Sequence, residues 1–225
     1  PLKATPRQIE SFAACPFQHF AGYGLNLAER PPDEVSGADM SGAYHRLLES
    51  IVGQLVAQKI DLAQLGDEPA KRLIARLSNE VSLALQSRMM LTDARRGYLL
   101  QHIERAVTQF IESQRLSLAQ GGMRPVHAGV RFGEGQKLPQ LEIVSPSGQI
   151  LQLRGVIDRI DVALQSAEFA VIDYRLSGNA LSLQHVYHGL SLQLLTYLLV
   201  IQSHGDKLTG QSLTPVAAFY LGVMR

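Results

Sequence analysis

The sequence contains a single cysteine, Cys15, among its 225 residues. One cysteine excludes an internal disulfide framework, and alone it cannot hold zinc or an iron–sulfur cluster. A lone cysteine in an apolar segment is most often an inert, small hydrophobic side chain. On its own spacing, Cys15 therefore indicates neither redox nor metal chemistry.

Long apolar runs and nucleotide-binding motifs are also missing. No stretch approaches the roughly 18 apolar residues that a membrane-spanning helix needs. The opening Pro1-Leu2-Lys3 does not begin a secretory signal, so we expect a cytoplasmic protein. Because no GxxxxGK(S/T) motif occurs, the chain itself is not expected to hydrolyse ATP.

An excess of charge of either sign is missing as well. The formal net charge is +1 and the pI is near 8.4, values that neither require nor exclude nucleic acid as a partner. The hydrophobic content of 46% is enough to bury a core, and the length fits one domain over residues 1–225. The chain stops directly after the apolar residues 216–224, and we expect it to be a fragment of a larger subunit.

The spacing of apolar residues changes from helical to alternating along the chain. It predicts a helical part, about residues 1–120, and a strand-rich part, about residues 125–225. Thr5 and Pro6 begin a first helix, which residues 15–20 break and restart, with Phe17 and Phe20 expected in the core. The further predicted elements are a loop over 30–39, helices over 41–59, 68–90 and 92–118, strands over 126–132, 140–144, 149–153, 153–162 and 169–174, one long helix over 182–203, and a strand over 216–224. This order favours an α/β sandwich core with a helical insertion.

Two carboxylates stand in strand sequence that is otherwise apolar. Asp158 lies within GVIDRID, residues 155–161, and Asp173 closes AVID, residues 170–173. A carboxylate buried in this way becomes protonated, pairs with a basic side chain or holds a metal ion. Because the two strands are neighbours and Arg175 follows the second carboxylate by two places, the pattern predicts a divalent-metal site.

A structural interpretation of the same residues remains open. Arg159 and Asp161 could form the solvent face of a half-exposed strand, and Asp158 could pair with Arg154 or Arg159. His45, at the edge of an apolar helix face, is by default a satisfied core residue. If the ring projects toward the two aspartates, its neutral nitrogen becomes a third ligand.

Basic residues on the polar faces of the middle helices allow two interpretations. They are Lys71, Arg72, Arg76, Arg88, Arg95, Arg96 and Arg105. Such a face is usually only solvated, but it could also follow a phosphate backbone.

Five short motifs occur in order along the chain. They are Cys15-Pro16-Phe17 with Phe20, Gly42-x-x-His45, Gly155-x-Ile157-Asp158-Arg159-x-Asp161, Val171-Ile172-Asp173-Tyr174-Arg175-x-Ser177-Gly178, and Gln193-x-x-x-Tyr197. Together they resemble the RecB-like branch of the PD-(D/E)XK nucleases, most closely the AddB-type nuclease domains of bacterial helicase–nucleases. The resemblance implies a restriction-endonuclease-like α/β fold, with a mixed sheet flanked by helices and an N-terminal helical insertion.

The resemblance also implies a ligand set for a metal ion. His45, Asp158 and Asp173, helped by the backbone carbonyl of Tyr174, would hold Mg²⁺ or Mn²⁺. Mg²⁺ prefers oxygen ligands and commonly uses one or two carboxylates together with a substrate phosphate, so the chemistry of the residues agrees with this class.

Two further roles follow from the resemblance. Gln193 and Tyr197, which share a helix face, would place the DNA strand near the metal and are counted with Asp158, Asp173 and Arg175 as catalytic residues. Cys15 would be the first of four cysteines that bind a 4Fe–4S cluster. The other three are absent from these 225 residues, so we expect no cluster in this chain.

The chain departs from the family pattern at two positions. The last motif residue is usually lysine, and here it is Arg175; a guanidinium can stabilise negative charge on phosphate but cannot serve as a general base. The first strand of the core often carries an acidic residue where this chain has Gly129. Losing one transition-state contact can lower a rate on the order of a hundredfold.

Three functions are compatible with the sequence. The first is a metal-dependent exonuclease domain that trims single-stranded DNA delivered by a helicase during double-strand-break repair, with an AddA-type helicase–nuclease subunit as partner. The second is a catalytically weakened or inactive copy that binds DNA and holds its complex together. The third is an unrelated metal-binding α/β protein.

Overall fold

The computed structural model describes residues 1–27, 36–89, 92–177 and 181–224. The helices are α1 (Pro6–Ala14), α2 (Pro16–His19), α3 (Gly37–Ala57), α4 (Asp67–Met89), α5 (Asp93–Gln120), α6 (Leu183–Tyr187), α7 (Gln193–His204) and α8 (Asp206–Thr209). The strands are β1 (Leu2–Ala4), β2 (Met123–Phe132), β3 (Leu141–Val144), β4 (Ile150–Leu153), β5 (Gly155–Ala163), β6 (Glu168–Ser177) and β7 (Thr214–Met224). A π-helical turn, Phe20–Gly24, follows α2, and a short 3₁₀ helix, Leu62–Gln64, precedes α4.

The N-terminal helices begin as the sequence predicts. Thr5 caps α1 by accepting from the backbone N–H of Gln8, whose side chain accepts in return from the N–H of Thr5. The predicted core positions of Phe17 and Phe20 are wrong, because these side chains are 77% and 55% exposed. Helix α2 and the turn after it lie on the outside of the fold, so no layer from the described residues covers these two apolar side chains.

Two predicted boundaries are also wrong. The loop predicted over 30–39 ends earlier, since Ser36 and Asp39 form a reciprocal cap that starts α3 at Gly37; residues 30–35 lie outside the described part of the chain. The single helix predicted over 182–203 is two helices, α6 and α7. Gly189 lies between them with φ +73°, a left-handed conformation that ends a helix and suits glycine.

The central sheet has the strand order β2-β5-β6-β7. Strand β5 is antiparallel to β2 and β6, and β7 is parallel to β6, so the sheet is mixed. A second, three-stranded sheet has the order β1-β4-β3. Helices flank the central sheet, which confirms the predicted fold class.

Hydrophobic side chains fill two separate layers around the central sheet. Helices α3, α4 and α5 form one core with Ile172 and Tyr174 of β6, and α7 forms the other with Val171 of the same strand. Alternate residues of β6 therefore point to opposite faces. Among the described residues, no helix is long and apolar enough to cross a membrane.

Candidate active site

The site forms where two strands of the central sheet separate. Strands β5 and β6 pair from Val162 opposite Phe169 as far as Arg159 opposite Ile172, and the ladder ends there. Beyond this point the backbone N–H of Tyr174 donates to Oδ2 of Asp158 at 2.8 Å. A side-chain carboxylate thus replaces a backbone acceptor and is fixed next to the C-terminal part of β6.

His45 reaches this carboxylate from helix α3. Its Nδ1 lies 2.7 Å from the backbone oxygen of Ser41, which can only accept, so Nδ1 carries a proton. Its Nε2 lies 3.3 Å from Oδ2 of Asp158. The hydrogen bond to Asp158 raises the pKa of His45 to about 9, so both ring nitrogens hold protons at neutral pH.

Asp173 is buried, with one oxygen in a hydrogen bond and the other in an ion pair. Oδ1 accepts from Nε2 of Gln193 at 2.8 Å, and Oδ2 lies 2.6 Å from Nε of Arg175. Burial, followed by the nearby negative charge of Asp158, raises the pKa of Asp173 to about 7. The opposing effects of Arg175 and His45 are smaller. Asp173 therefore titrates near neutral pH.

A chain of hydrogen bonds connects Asp173 to helix α7. Nη2 of Arg175 donates to Oε1 of Gln193 at 2.6 Å, and Nε2 of Gln193 lies 2.7 Å from the hydroxyl of Tyr197. The guanidinium also lies over the ring of Tyr220, 4.4 Å from its centroid. Burial raises the pKa of Tyr197 above its usual range, so the hydroxyl stays protonated.

Glu10 is a contributor that the sequence did not indicate. Its Oε1 accepts from the backbone N–H groups of Leu192 at 2.6 Å and Gln193 at 3.0 Å, at the start of α7. These donors have no partner within the helix, and a carboxylate at a helix N-terminus is favourable. No local pattern could reveal the contact, because Glu10 and Leu192 are 182 residues apart.

Glu49 is the second residue that the sequence did not indicate. Gly129, for which the resemblance implies an acidic residue, lies between Ala128 and Val130, whose partners on β5 flank Asp158. It has φ +59°, and a Cβ there would stand 2.0 Å from Oε1 of Glu49. A carboxylate from α3 thus occupies the space of the missing side chain. The available signal was its spacing, because Glu49 follows His45 by four residues, one helical turn.

The alternative in which Arg159 and Asp161 form the solvent face of a half-exposed strand is wrong. Both residues are buried, at 2% and 4% exposure, and Nε of Arg159 donates to Oδ1 of Asp161 at 2.6 Å. Arg159 also donates to Gln114 of α5, so this pair links the sheet to the helical layer. Within the residues that the structure describes, Asp158 contacts His45 and the backbone of Tyr174 rather than an arginine.

Other candidate residues lie elsewhere. Cys15 is half-buried at the end of α1 and does not line the cleft that contains His45 and Asp173. On the helical face, Lys71 pairs with Glu68 and Arg76 with Glu80, as expected of a solvated surface. The side chain of Arg88 and the motif residue Gly178 lie outside the described part of the chain.

One cleft of about 520 Å³ is lined by His45, Asp173, Tyr174, Arg175, Gln193 and Tyr197. Asp158 lies next to this cleft, in contact with His45 and with the backbone N–H of Tyr174. Within residues 1–27, 36–89, 92–177 and 181–224, no three His, Cys, Asp or Glu side chains are arranged to hold a metal ion. Instead, protonated His45 contacts Asp158, and Arg175 contacts Asp173. Imidazole, carboxylate and carbonyl groups are nonetheless donors that fit a hard divalent cation once these internal cations are displaced.

Sequence comparison identifies the class of protein to which this fold and site belong. The sequence model of the PD-(D/E)XK nuclease superfamily matches residues 3–225, and the chain belongs to this superfamily. The resemblance drawn from the five motifs is thus confirmed.

Several curated proteins that the chain matches carry the name of one subunit of a larger enzyme. The chain is 35% identical over 225 residues to the B subunit of the ATP-dependent helicase/deoxyribonuclease of Moorella thermoacetica, covering 99% of this chain and 20% of that protein. Proteins of the same name from Desulfitobacterium hafniense and Listeria monocytogenes are 37% identical over 199 residues and 34% identical over 225 residues. These matches cover 88% and 97% of this chain, and 16% and 19% of the relatives. The chain spans about a fifth of the length of the curated relatives it matches.

Proposed function

We propose that residues 1–225 form a single nuclease domain that hydrolyses phosphodiester bonds of single-stranded DNA with Mg²⁺ or Mn²⁺. The observation that supports this most is the meeting of His45 and Asp158 beside Asp173 at the separation of β5 and β6. Membership of a nuclease superfamily supplies the reaction class.

Asp158, Asp173, His45 and the carbonyl of Tyr174 are the proposed ligands. A bound divalent ion would lower the pKa of water in the site and neutralise charge on the phosphate. The bond from the Tyr174 N–H fixes Asp158 in orientation, so this carboxylate is held in place before any ion binds. His45 must first lose the proton that it holds toward Asp158, and Asp173 must be ionised.

Arg175, Gln193 and Tyr197 would act on the DNA strand. Arg175 stays charged, so it would stabilise negative charge on the phosphate and could not accept a proton. Gln193, bonded to Asp173, Arg175 and Tyr197, would hold the phosphate and the ligand carboxylate in a fixed relation. Positioning of this kind lowers the barrier by restricting the reacting groups to one geometry.

The larger setting follows from the names of the relatives. We propose that the chain belongs to the B subunit of a bacterial helicase–nuclease, that an AddA-type subunit is its partner, and that it trims broken DNA ends in the cytoplasm. Cys15 would contribute to a 4Fe–4S cluster only with cysteines from outside these 225 residues.

The test is a cleavage assay with end-labelled single-stranded DNA and the 225-residue chain. Wild-type protein should release label in Mg²⁺ or Mn²⁺ and not in EDTA. Asp158→Ala should lower the rate on the order of a hundredfold or more. Cleavage that persists unchanged in Asp158→Ala would contradict the proposed site.

A second candidate function is a DNA-binding domain with little or no cleavage. Arg175 in the place of the usual lysine favours it, because a guanidinium at this position cannot act as a general base. Wild-type protein that binds labelled DNA but does not cut it in either metal would support this function over the first.

A further inference from the structure

A second cleft continues from the candidate active site. Its volume is about 460 Å³, and Thr5 and Gly155 line both clefts. At this junction Gly155 has no side chain, and a Cβ would stand 2.9 Å from the ring of Phe132. Residue 155 therefore places no side chain between the two clefts, and a flexible polymer bound in one cleft can extend into the other.

Two free guanidinium groups line this second cleft. Arg131 and Arg154 are both exposed, and neither side chain has a hydrogen-bond acceptor or ion-pair partner in the part of the chain that the structure describes. Lys3, in the same cleft, is already paired with Glu134. The two arginines thus carry positive charge that the protein itself does not neutralise.

The backbone brings these two arginines into the same cleft. Arg131 is in β2, and Arg154 lies between β4 and β5, directly before Gly155. A Cβ at Gly133 would stand 3.0 Å from Cβ of Arg154, so Arg154 lies against the end of β2, two residues beyond Arg131. Both arginines line the second cleft, where an anionic chain can meet them together.

We propose that this second cleft binds the phosphate backbone of the single-stranded DNA segment next to the cleaved phosphate, with Arg131 and Arg154 as its contacts. The inference rests on the proposed function, since it extends the substrate path of that site. Guanidinium groups suit phosphate because they bind it through paired donors and remain charged. Charge complementarity and continuity with the catalytic cleft favour DNA over other ligands.

Fluorescence anisotropy in EDTA tests binding separately from cleavage. A fluorescein-labelled oligodeoxythymidylate is titrated with the wild-type 225-residue chain and with Arg131→Ala/Arg154→Ala over a series of KCl concentrations. Each lost phosphate contact lowers the salt slope by about 0.7 for a single strand, so the double variant should lose about 1.4 and bind on the order of tenfold more weakly at low salt. Arg131→Lys/Arg154→Lys, which keeps both charges, should retain most of the slope.

The matched control removes two exposed arginines from the helical face, Arg72→Ala/Arg95→Ala, and should change the slope little. Lengthening the oligonucleotide should increase the affinity of the wild type and not of Arg131→Ala/Arg154→Ala. Wild-type binding that both double alanine variants reduce equally, or that Arg131→Ala/Arg154→Ala leaves unchanged, overturns the cleft inference alone. A wild-type chain that neither binds nor cuts DNA overturns the proposed function as well.

Discussion

At the scale of single residues, the candidate site neutralises its own acids. Protonated His45 lies on Asp158, and Arg175 lies on Asp173. The pKa of His45 is raised to about 9 and that of Asp173 to about 7, so the fold favours the protonated form of both groups. A divalent ion would have to compete with these protons, and its binding should release them.

The first prediction concerns stability against pH in EDTA. His45 has a folded pKa of about 9 against an ordinary 6.5, so its contribution is complete below pH 6.5 and lost as pH rises through 9. Asp173 has a folded pKa of about 7 against 3.8, so ionising it also lowers the stability of the folded state. The free energy of unfolding, measured with urea, should fall as the pH rises through the folded pKa of Asp173 and then that of His45. In His45→Gln the decline above pH 6.5 should be reduced; a wild-type profile that rises toward pH 9 would contradict the assignment.

The second prediction concerns Arg175→Lys. A lysine restores a group that can lose a proton when its pKa is lowered, so cleavage of single-stranded DNA should increase. The forked contacts with Asp173 and Gln193 are lost at the same time, and the free energy of unfolding should fall by about 1 kcal/mol. A large drop in cleavage without a larger loss of stability would show that the guanidinium has a catalytic role that lysine cannot fill.

At the scale of secondary-structure elements, helix α7 depends on α1 for its N-terminal cap. Leu192 offers no side-chain acceptor, and Glu10 supplies one from across the fold. The same helix carries Gln193 and Tyr197. The position of two proposed substrate-binding residues is therefore fixed by a contact outside their own helix.

Replacing Glu10 tests this dependence. Glu10→Ala should lower the free energy of unfolding by about 1 kcal/mol, the usual effect of losing a cap, and should also slow DNA cleavage because Gln193 loses its anchor. Glu10→Gln keeps an acceptor and should lie between the wild type and Glu10→Ala in thermal denaturation. If Glu10→Gln were as unstable as Glu10→Ala, the negative charge rather than the acceptor would be the essential feature.

The contact of Glu49 with Gly129 gives a further prediction. Gly129→Ala should lower the free energy of unfolding by about 1–2 kcal/mol from the left-handed backbone alone, and by more because its Cβ meets Glu49. Removing Glu49 should relieve only the steric part. A double-mutant cycle with Glu49→Ala, measured by urea denaturation, should therefore show coupling between the two positions. Additive effects would mean that the two residues are not in contact.

The elements also show what sequence periodicity can and cannot predict. The strands around Asp158 and Asp173 were predictable because apolar residues surround each acid. Residues 182–203 were wrongly predicted as a single helix because the apolar pattern continues past Gly189, whose backbone conformation the pattern does not report. Phe17 and Phe20 have a core-like spacing, but spacing cannot show which faces receive a covering layer.

The candidate site was predictable only in part, for a related reason. His45, Asp158 and Asp173 stand in short motifs, and motif order along the chain indicated them. Glu10 acts through backbone N–H groups far along the chain, and this kind of contact leaves no local pattern. The partners of Asp173 depend on how α7 packs beside β6, which only the fold supplies.

At the scale of the whole molecule, one sheet separates two hydrophobic cores and brings their polar edges together. Helix α3, in one layer, carries His45, and helix α7, in the other layer, carries Gln193 and Tyr197. Where β5 and β6 separate, His45 of α3 contacts Asp158 and Gln193 of α7 contacts Asp173. The site is thus a property of the assembled layers, and no single element carries it.

The proposed function depends above all on His45, Asp158 and Asp173 holding one divalent ion together. Crystals of the chain grown with Mn²⁺ can reveal such an ion in an anomalous-scattering map. We expect a peak between the carboxylates of Asp158 and Asp173, with the His45 ring and the Tyr174 carbonyl also next to it. A map without a peak in this cleft, and with His45 still bonded to Asp158, would contradict the proposed metal site.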